Sequence, residues 1–470
     1  MPGHHHPRLV VPKDDTRLTG AYAHFAAAIA GTQLFEYFDF YTIGFVVAMI
    51  SKPWGLTFGE DAVILLATGV GTILGSLLWG WLGDRYGRRI ALISAIVCFA
   101  LATGISAATP TGWWSLLAIF RFFVGMGTGG TNAAGPPLLI ECTPARRRTV
   151  MGGVGTVSLV PIGGLVTSAV VATLGSAIGF RGLLLIGLIP VLAAVWVFFM
   201  VPESPRWLSS QGRLEQARAN ANRLFGPDGW TEIAAPPSAT RKHSYATMRR
   251  FPRAVITVMT LWLLIDVVFA GVGLWGPTLV AEVENVPSSH AARLFLLVTL
   301  AGFAGRMVVP LLAHRFGRRA AGVITGVGGG VLLALAGLLH ADRLGTASAF
   351  LVFLIAGYFF ADGSFTNLVP LSGELWPAGL RTHGQGLGNA LGGVGKIIGP
   401  LALALFANSH NLVSPQATEQ AARPAFLFFG GCILLTAVVF GFVCPETNKR
   451  NLEALSEGAR HLPHLERTVP

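Results

Sequence analysis

The stretch Gly80-Trp81-Leu82-Gly83-Asp84-Arg85-Tyr86-Gly87-Arg88-Arg89 interrupts two long apolar runs with glycine and charge. A weaker copy, Leu312-Ala313-His314-Arg315-Phe316-Gly317-Arg318-Arg319, returns 230 residues later, counted from Arg89 to Arg319. Glu141-Cys142-Thr143-Pro144-Ala145-Arg146-Arg147-Arg148 is echoed by Glu374-Leu375-Trp376-Pro377-Ala378-Gly379-Leu380-Arg381, 233 residues on. Pro202-Glu203-Ser204 and Pro445-Glu446-Thr447 form a third pair. Three echoes in one order point to a chain built from two similar halves.

The composition places those halves in a bilayer. Of 470 residues 52% are hydrophobic and 12% charged, and the mean hydropathy is +0.60, which leaves too little polar surface to cover a soluble globule of this size. Apolar runs of about 20 residues recur along the chain, each long enough to cross about 30 Å of hydrocarbon as a helix. They lack the period-two alternation of barrel strands. The expected architecture is all-α and polytopic, with twelve transmembrane helices in two pseudo-symmetric six-helix bundles. Residues 1–21 form an N-tail, 22–201 the first bundle, 202–252 a linker against the membrane surface, 253–444 the second bundle and 445–470 a C-tail.

A net charge of +11 raises the question of nucleic acid, and the placement of the cations answers it. With twelve spans and a cytoplasmic N-terminus, 26 of the 34 Lys and Arg fall on the inner side. That asymmetry follows the positive-inside rule and puts both termini in the cytoplasm. The expected location is the plasma membrane, a bacterial inner membrane, with the first span as an uncleaved signal. Cys98, Cys142, Cys432 and Cys444 have no paired spacing, so neither a disulfide framework nor a metal site is indicated. His4-His5-His6 reads as part of a disordered polar tail.

These motifs carry a resemblance to the major facilitator superfamily over about residues 20–455. Residues 80–89 are similar to its Gly-x-Leu-x-Asp-Arg-x-Gly-Arg-Arg signature, and Pro202-Glu203-Ser204-Pro205-Arg206-Trp207-Leu208 resembles the sugar-porter branch. The resemblance implies two bundles facing a central cavity and rocking about it in alternating access. The expected gate comprises Gly83, Asp84, Arg85, Gly87, Arg88, Arg89, Glu141 and Arg148 in the first half. Arg315, Arg318, Arg319, Glu374 and Arg381 form its counterpart, and His314 in place of Asp84 makes that second gate the weaker one. Gly71 with Gly75, Gly125 with Gly129, and Gly384, Gly388 and Gly392 recur at four-residue spacing, which lets helix backbones approach closely. Val160-Pro161-Ile162-Gly163-Gly164 lacks the first glycine of the antiporter signature, which argues against drug export.

Seven ionisable residues fall within spans: Glu36, Asp39, Arg121, Asp266, Arg306, Asp362 and Lys396. Each costs about 2.5–3.5 kcal/mol at mid-bilayer on insertion scales, so each needs a partner or water. Glu36 and Asp39 stand three apart and share a helix face. Two carboxylates that close favour proton uptake by one of them. Their stretch, Glu36-Tyr37-Phe38-Asp39-Phe40, resembles the first-span motifs of the aromatic acid:proton and metabolite:proton symporters. That resemblance makes Glu36 and Asp39 coupling residues, and Arg121 matches the family's Arg-x-x-x-Gly position, associated with coupling. Lys396 either binds a substrate anion or pairs with Asp266 or Asp362. Tyr41 and Tyr358, with Asp266 and Asp362, complete the expected substrate-binding set.

Residues 261–276 lack the glutamines with which sugar porters read hydroxyls. The expected function is therefore proton-coupled symport of a small organic anion, a carboxylate and in one form an aromatic one. An organic cation or sugar-like solute is the alternative. The partners are the substrate, protons and the lipid bilayer, with no nucleic acid and a monomeric chain. No enzyme constellation, nucleotide-binding loop, metal site or cofactor is indicated.

Overall fold

The structure is a computed structural model that describes residues 8–16, 18–144, 159–234, 248–376 and 380–446. After a short strand β1 (Arg8–Pro12) the chain is a succession of long helices. The first half holds α1 (Gly20–Trp54), α2 (Phe58–Tyr86), α3 (Arg88–Ser106), α4 (Trp114–Glu141), α5 (Leu159–Ile186) and α6 (Pro190–Met200). Two short helices, α7 (Pro205–Ser210) and α8 (Leu214–Phe225), and a strand β2 (Trp230–Ala234) follow. The second half holds α9 (Pro252–Val283), α10 (Ser288–Phe316), α11 (Arg318–Leu338), α12 (Ala349–Glu374), α13 (Arg381–Phe406) and α14 (Pro415–Val438).

Among the described residues ten helical stretches are long and apolar enough to cross a membrane. One of them, Val160–Met200, runs 41 residues, about twice what a bilayer requires, and is broken at Gly179 and again between α5 and α6. It supplies two spans. Helix α4 is not among the ten, because its glycines, threonines, Asn132 and Arg121 lower its hydropathy. Much of it is buried against neighbours instead. Twelve helices result, as the two-half reading requires.

The charged stretch that opened the sequence is a helix corner. Helix α2 ends at Tyr86 and α3 begins at Arg88, with Gly87 between them at φ 115°. Gly317 does the same between α10 and α11 at φ 94°. Left-handed backbone of this kind is open to glycine at little cost, and one residue then suffices to end one helix and start the next.

The chain divides into two compact units. The first comprises residues 1–42, 67–163 and 178–241; the second comprises 43–66, 164–177 and 242–470. In the first unit glycine sets the distance between α2 and α4. A Cβ on Gly71 would collide with the Phe122 carbonyl, and one on Gly125 with the Thr68 carbonyl. The two stripes seen in the sequence therefore face each other, and backbone packs directly on backbone.

The region expected to be a polar tail contains β1, which pairs antiparallel with β2 in the register Arg8↔Ala234 to Pro12↔Trp230. Val10 is fully buried, and its amide donates to Ser209 Oγ at 3.1 Å. Thr16 Oγ1 donates to the Gly229 carbonyl at 2.6 Å and Thr19 Oγ1 to the Leu224 carbonyl at 2.5 Å. Helix α8 buries Ala217, Ala221, Leu224 and Phe225, the inner stripe of an amphipathic helix. Residues 8–19 thus bind back onto the linker, because Leu9-Val10-Val11 supplies apolar side chains that a free tail would leave in water. His4-His5-His6 lies outside the described residues.

Candidate functional site

Each unit encloses its own set of buried charges. In the first, Asp39 on α1 meets Arg121 on α4: Nη1 donates to Oδ1 at 3.0 Å and Nη2 to Oδ2 at 2.7 Å. Thr103 of α3 adds a third bond to Oδ1 at 2.9 Å, and Arg121 Nε donates to Thr68 Oγ1 of α2 at 3.3 Å. Arg121 is 0% and Asp39 2% exposed. The parallel fork-on-carboxylate geometry is what a guanidinium offers and an ammonium does not. Four helices of the first half converge on this one pair.

Glu36 was expected to act on Asp39 along a shared face. Instead it is held separately, one turn away, by Asn132 Nδ2 at 2.6 Å, Thr131 Oγ1 at 2.9 Å and Gln33 Nε2 at 3.3 Å. The two carboxylates are served by different turns of α4. Sequence reading missed Gln33, Thr103, Thr131 and Asn132, polar residues on otherwise apolar helices that signal a buried acceptor in need of donors. Tyr41, two residues beyond Asp39, is buried and packs edge-on against Phe40 at 5.3 Å between ring centres.

In the second unit, Arg306 of α10 grips Asp362 of α12, Nε to Oδ2 and Nη2 to Oδ1, both at 2.7 Å. Its guanidinium also lies over the Phe365 ring at 4.9 Å. Asp362 is therefore closed on an arginine, not on Lys396. Tyr358 is buried one turn before Asp362. Lys396 on α13 is half-buried and forms no ion pair or hydrogen bond among the described residues. Asp266 on α9 is 2% exposed, and its Oδ2 has no hydrogen-bond partner.

The arginine-rich corners form a third and fourth site, one per unit. In the first, Arg88 Nη1 lies 2.5 Å from Asp84 Oδ1, and Arg88 Nε lies 3.7 Å from Glu141 Oε1. Glu203 accepts the backbone amides of Arg88 at 3.0 Å and Arg89 at 3.1 Å. Helix α3 has no side-chain cap of its own, because its N-cap is Gly87. A carboxylate 114 residues away from Arg89 therefore serves the orphan amides and the positive helix end. Burial raises the Glu203 carboxyl above its ordinary range, while the amides of Ser204, Arg89 and Arg88 pull it back. Arg85 lies over the Trp81 and Tyr86 rings, and Arg89 donates to the Phe198 carbonyl.

In the second unit Arg318 donates to both oxygens of Glu374, at 2.8 and 2.5 Å. Glu446 accepts the amides of Arg318 at 3.0 Å and Arg319 at 3.1 Å, and Arg315 lies over Phe316. The loss of the aspartate at His314 was expected to weaken this corner. In the second unit Arg318 turns to Glu374, and its two short bonds replace the one that Arg88 makes to Asp84. Arg148 lies outside the described residues, as does the side chain of Arg381.

Comparisons with known proteins agree with this arrangement. The chain matches the family described as sugar (and other) transporter over residues 23–459. It is 26% identical over 435 residues to the niacin transporter NiaP of Acinetobacter baylyi (strain ATCC 33305 / BD413 / ADP1), covering 90% of this chain and 93% of that one. Solute carrier family 22 member 7 of Bos taurus is 28% identical over 400 residues, covering 81% of this chain and 67% of the relative. Among solved structures, the inward open xylose transporter XylE from E. coli matches with a TM-score of 0.70 at 20% identity, over 93% of this chain and 99% of that one. With its duplicated corners, its helical spans and this match over most of its length, the chain belongs to the sugar (and other) transporter family, and it is a multi-pass membrane transporter of the major facilitator superfamily.

Proposed function

We propose that this protein is a proton-coupled symporter of a small organic anion, a carboxylate of the aromatic acid class, working by alternating access with both termini in the cytoplasm of a bacterial inner membrane. The observation that carries the reading is the wholly buried Asp39–Arg121 fork. Protonating Asp39 turns two charge-assisted bonds into weaker neutral ones and leaves a buried guanidinium uncompensated, so one proton changes how α1, α3 and α4 are held together. Lys396 supports an anionic cargo, because an ammonium inside the membrane without a protein partner is a receptor for a carboxylate. The niacin transporter among the relatives fits that cargo, niacin being a small aromatic acid. Solute and proton entering together carry no net charge, so the pH gradient alone would drive the step.

The test is uptake of labelled nicotinate and benzoate into proteoliposomes under an imposed pH gradient, acid outside. Accumulation that collapses with the gradient is the expected result. Uptake indifferent to the gradient would remove the coupling, and uptake of an organic cation or a pentose in place of the acids would remove the anion.

A further inference from the structure

Four carboxylates lie deep in described spans of the two units, and three are saturated. Asp39 holds Arg121 and Thr103, Glu36 holds Gln33, Thr131 and Asn132, and Asp362 holds Arg306. Asp266 is the exception. It is buried, makes no ion pair within 4.0 Å, and keeps Oδ2 without a donor.

The cause lies in the facing helix. Where α9 presents Asp266, α13 presents Gly392 and Gly395. A Cβ on Gly392 would collide with Asp266 Oδ2, and one on Gly395 would press on the Asp266 side chain. The carboxylate therefore lies flat on bare helical backbone, whose amides are spent within the helix. No side chain can reach Oδ2 from that direction. An ionised carboxylate so placed leaves a charge uncompensated by hydrogen bonds, and the neutral acid removes it. The charged groups that act on Asp266 are Lys396 on α13 and Arg306 on α10, and Arg306 is committed to Asp362 on α12. Lys396 is thus the one cation free to answer it, without touching it.

We propose that Asp266 is a proton-binding site paired with an anion site at Lys396, so that a carboxylate binding to Lys396 brings a proton onto Asp266. This rests on the reading of the cargo as a small organic acid. In the empty protein Asp266 and Lys396 balance each other across the α9–α13 contact. A carboxylate on Lys396 takes up that positive charge and leaves Asp266 as an excess negative charge in a low-dielectric site. Hydronium then donates a proton to the Asp266 carboxylate, giving the acid and water, and the site is again neutral. Release reverses both steps: the anion leaves Lys396, and the proton returns to water. In this arrangement the proton is linked to binding itself, through a residue in the other unit from the Asp39–Arg121 fork.

Binding of nicotinate and of benzoate to the purified full chain, measured calorimetrically above the titration range of the acids themselves, separates the possibilities. Wild type should bind about tenfold more tightly for each unit by which the pH is lowered, the slope for one proton per anion. Asp266→Asn should bind with an affinity that does not change with pH. Asp39→Asn should keep the slope, and Lys396→Gln should bind at least about tenfold more weakly at every pH, an exchange of one charge-assisted contact. A slope that survives in Asp266→Asn, or one that vanishes in Asp39→Asn, overturns the proposal. Should neither acid bind wild type, the cargo reading fails, and infrared difference spectra of the empty protein between acid and alkaline pH still decide. A protonated-carboxyl C=O band present in wild type and missing in Asp266→Asn supports the proton site; the same band in both overturns it.

Discussion

Replacing Asp39 with Asn removes one charge and leaves the shape. The asparagine oxygen can still accept from Arg121 Nη1 and Thr103, which lie 3.0 and 2.9 Å from Oδ1. Its amide nitrogen then stands where Oδ2 was, 2.7 Å from Arg121 Nη2, and two donors face each other. The lost charge-assisted bond is worth about 1.5–3 kcal/mol, and a guanidinium left buried and unpaired brings the total toward the roughly 3–5 kcal/mol seen when one partner of a buried pair is removed. Helix α4 should therefore be less firmly tied to α1 and α3 at all pH values, as it would be in wild type only when Asp39 is protonated. A pH gradient of about one unit can concentrate a solute about tenfold through one-to-one coupling. In Asp39→Asn that accumulation should fall to the equilibrium ratio of about one, since no proton is needed to loosen the fork. Counterflow exchange, in which no net proton moves, should continue and doubles as the check that the variant folds. If Asp39→Asn concentrated solute as wild type does, Asp39 would be an architectural tie and the coupling argument would fail.

The Arg306–Asp362 fork should behave as architecture. Asp362→Asn should destabilise the protein by about 3–5 kcal/mol, while the paired change Arg306→Met with Asp362→Leu should return to within about 1 kcal/mol of wild type, read as melting temperature in detergent; a double variant no better than the single would assign the pair a further task. Gly125→Ala should cost about 1–3 kcal/mol, because its methyl meets the Thr68 carbonyl with nowhere to go, and a neutral substitution would show that α2 and α4 separate freely. For Glu203, raised above the ordinary carboxylate range by burial, the sign follows from the folded state holding its proton more tightly than the unfolded state. The stability this contributes is complete below the usual glutamate range and is lost as the pH rises through the raised value. The melting temperature of wild type relative to Glu203→Gln should accordingly fall as the pH climbs through that window; a constant difference would contradict it.

The spans were legible because a bilayer imposes length and hydropathy on every one of them. The corners at Gly87 and Gly317 were legible because glycine and arginine interrupt the runs. What the chain order hid were contacts between helices. Nothing local in Pro202-Glu203-Ser204 says that its carboxylate will serve the first turn of α3, and nothing in Pro445-Glu446-Thr447 says the same of α11. The strand at Arg8–Pro12 finds its partner at Trp230–Ala234, and five residues of weak alternation carry no long-range address. Glu36 and Asp39 were read correctly as sharing a helix, yet a face of a helix is wide enough for two turns of α4 to divide them. Gln33, Thr103 and Asn132 were passed over because each is an ordinary polar residue alone; only a count of donors against buried acceptors would have singled them out.

The two kinds of charge in this chain differ in whether they are doubled. At the corners the doubling is close to metric: Glu203 reaches the amides of Arg88 and Arg89 at 3.0 and 3.1 Å, and Glu446 reaches those of Arg318 and Arg319 at the same two distances. Inside the spans the doubling is gone. Shifted by the 230 residues that relate the corners, Asp39 and Arg121 fall on Phe269 and Leu351, and Arg306 and Asp362 fall on Ser76 and Asn132. Each mid-span charge carries its own desolvation cost, so a pattern that only held helices together could have kept the same pairs in both halves, as the corners do. A gate that must close symmetric halves needs matched parts, whereas a proton and an anion are different ions and need different receptors. The asymmetry therefore assigns the corners to the machine that any cargo uses, and the Asp39–Arg121 fork with Asp266 and Lys396 to the cargo and the ion that drives it.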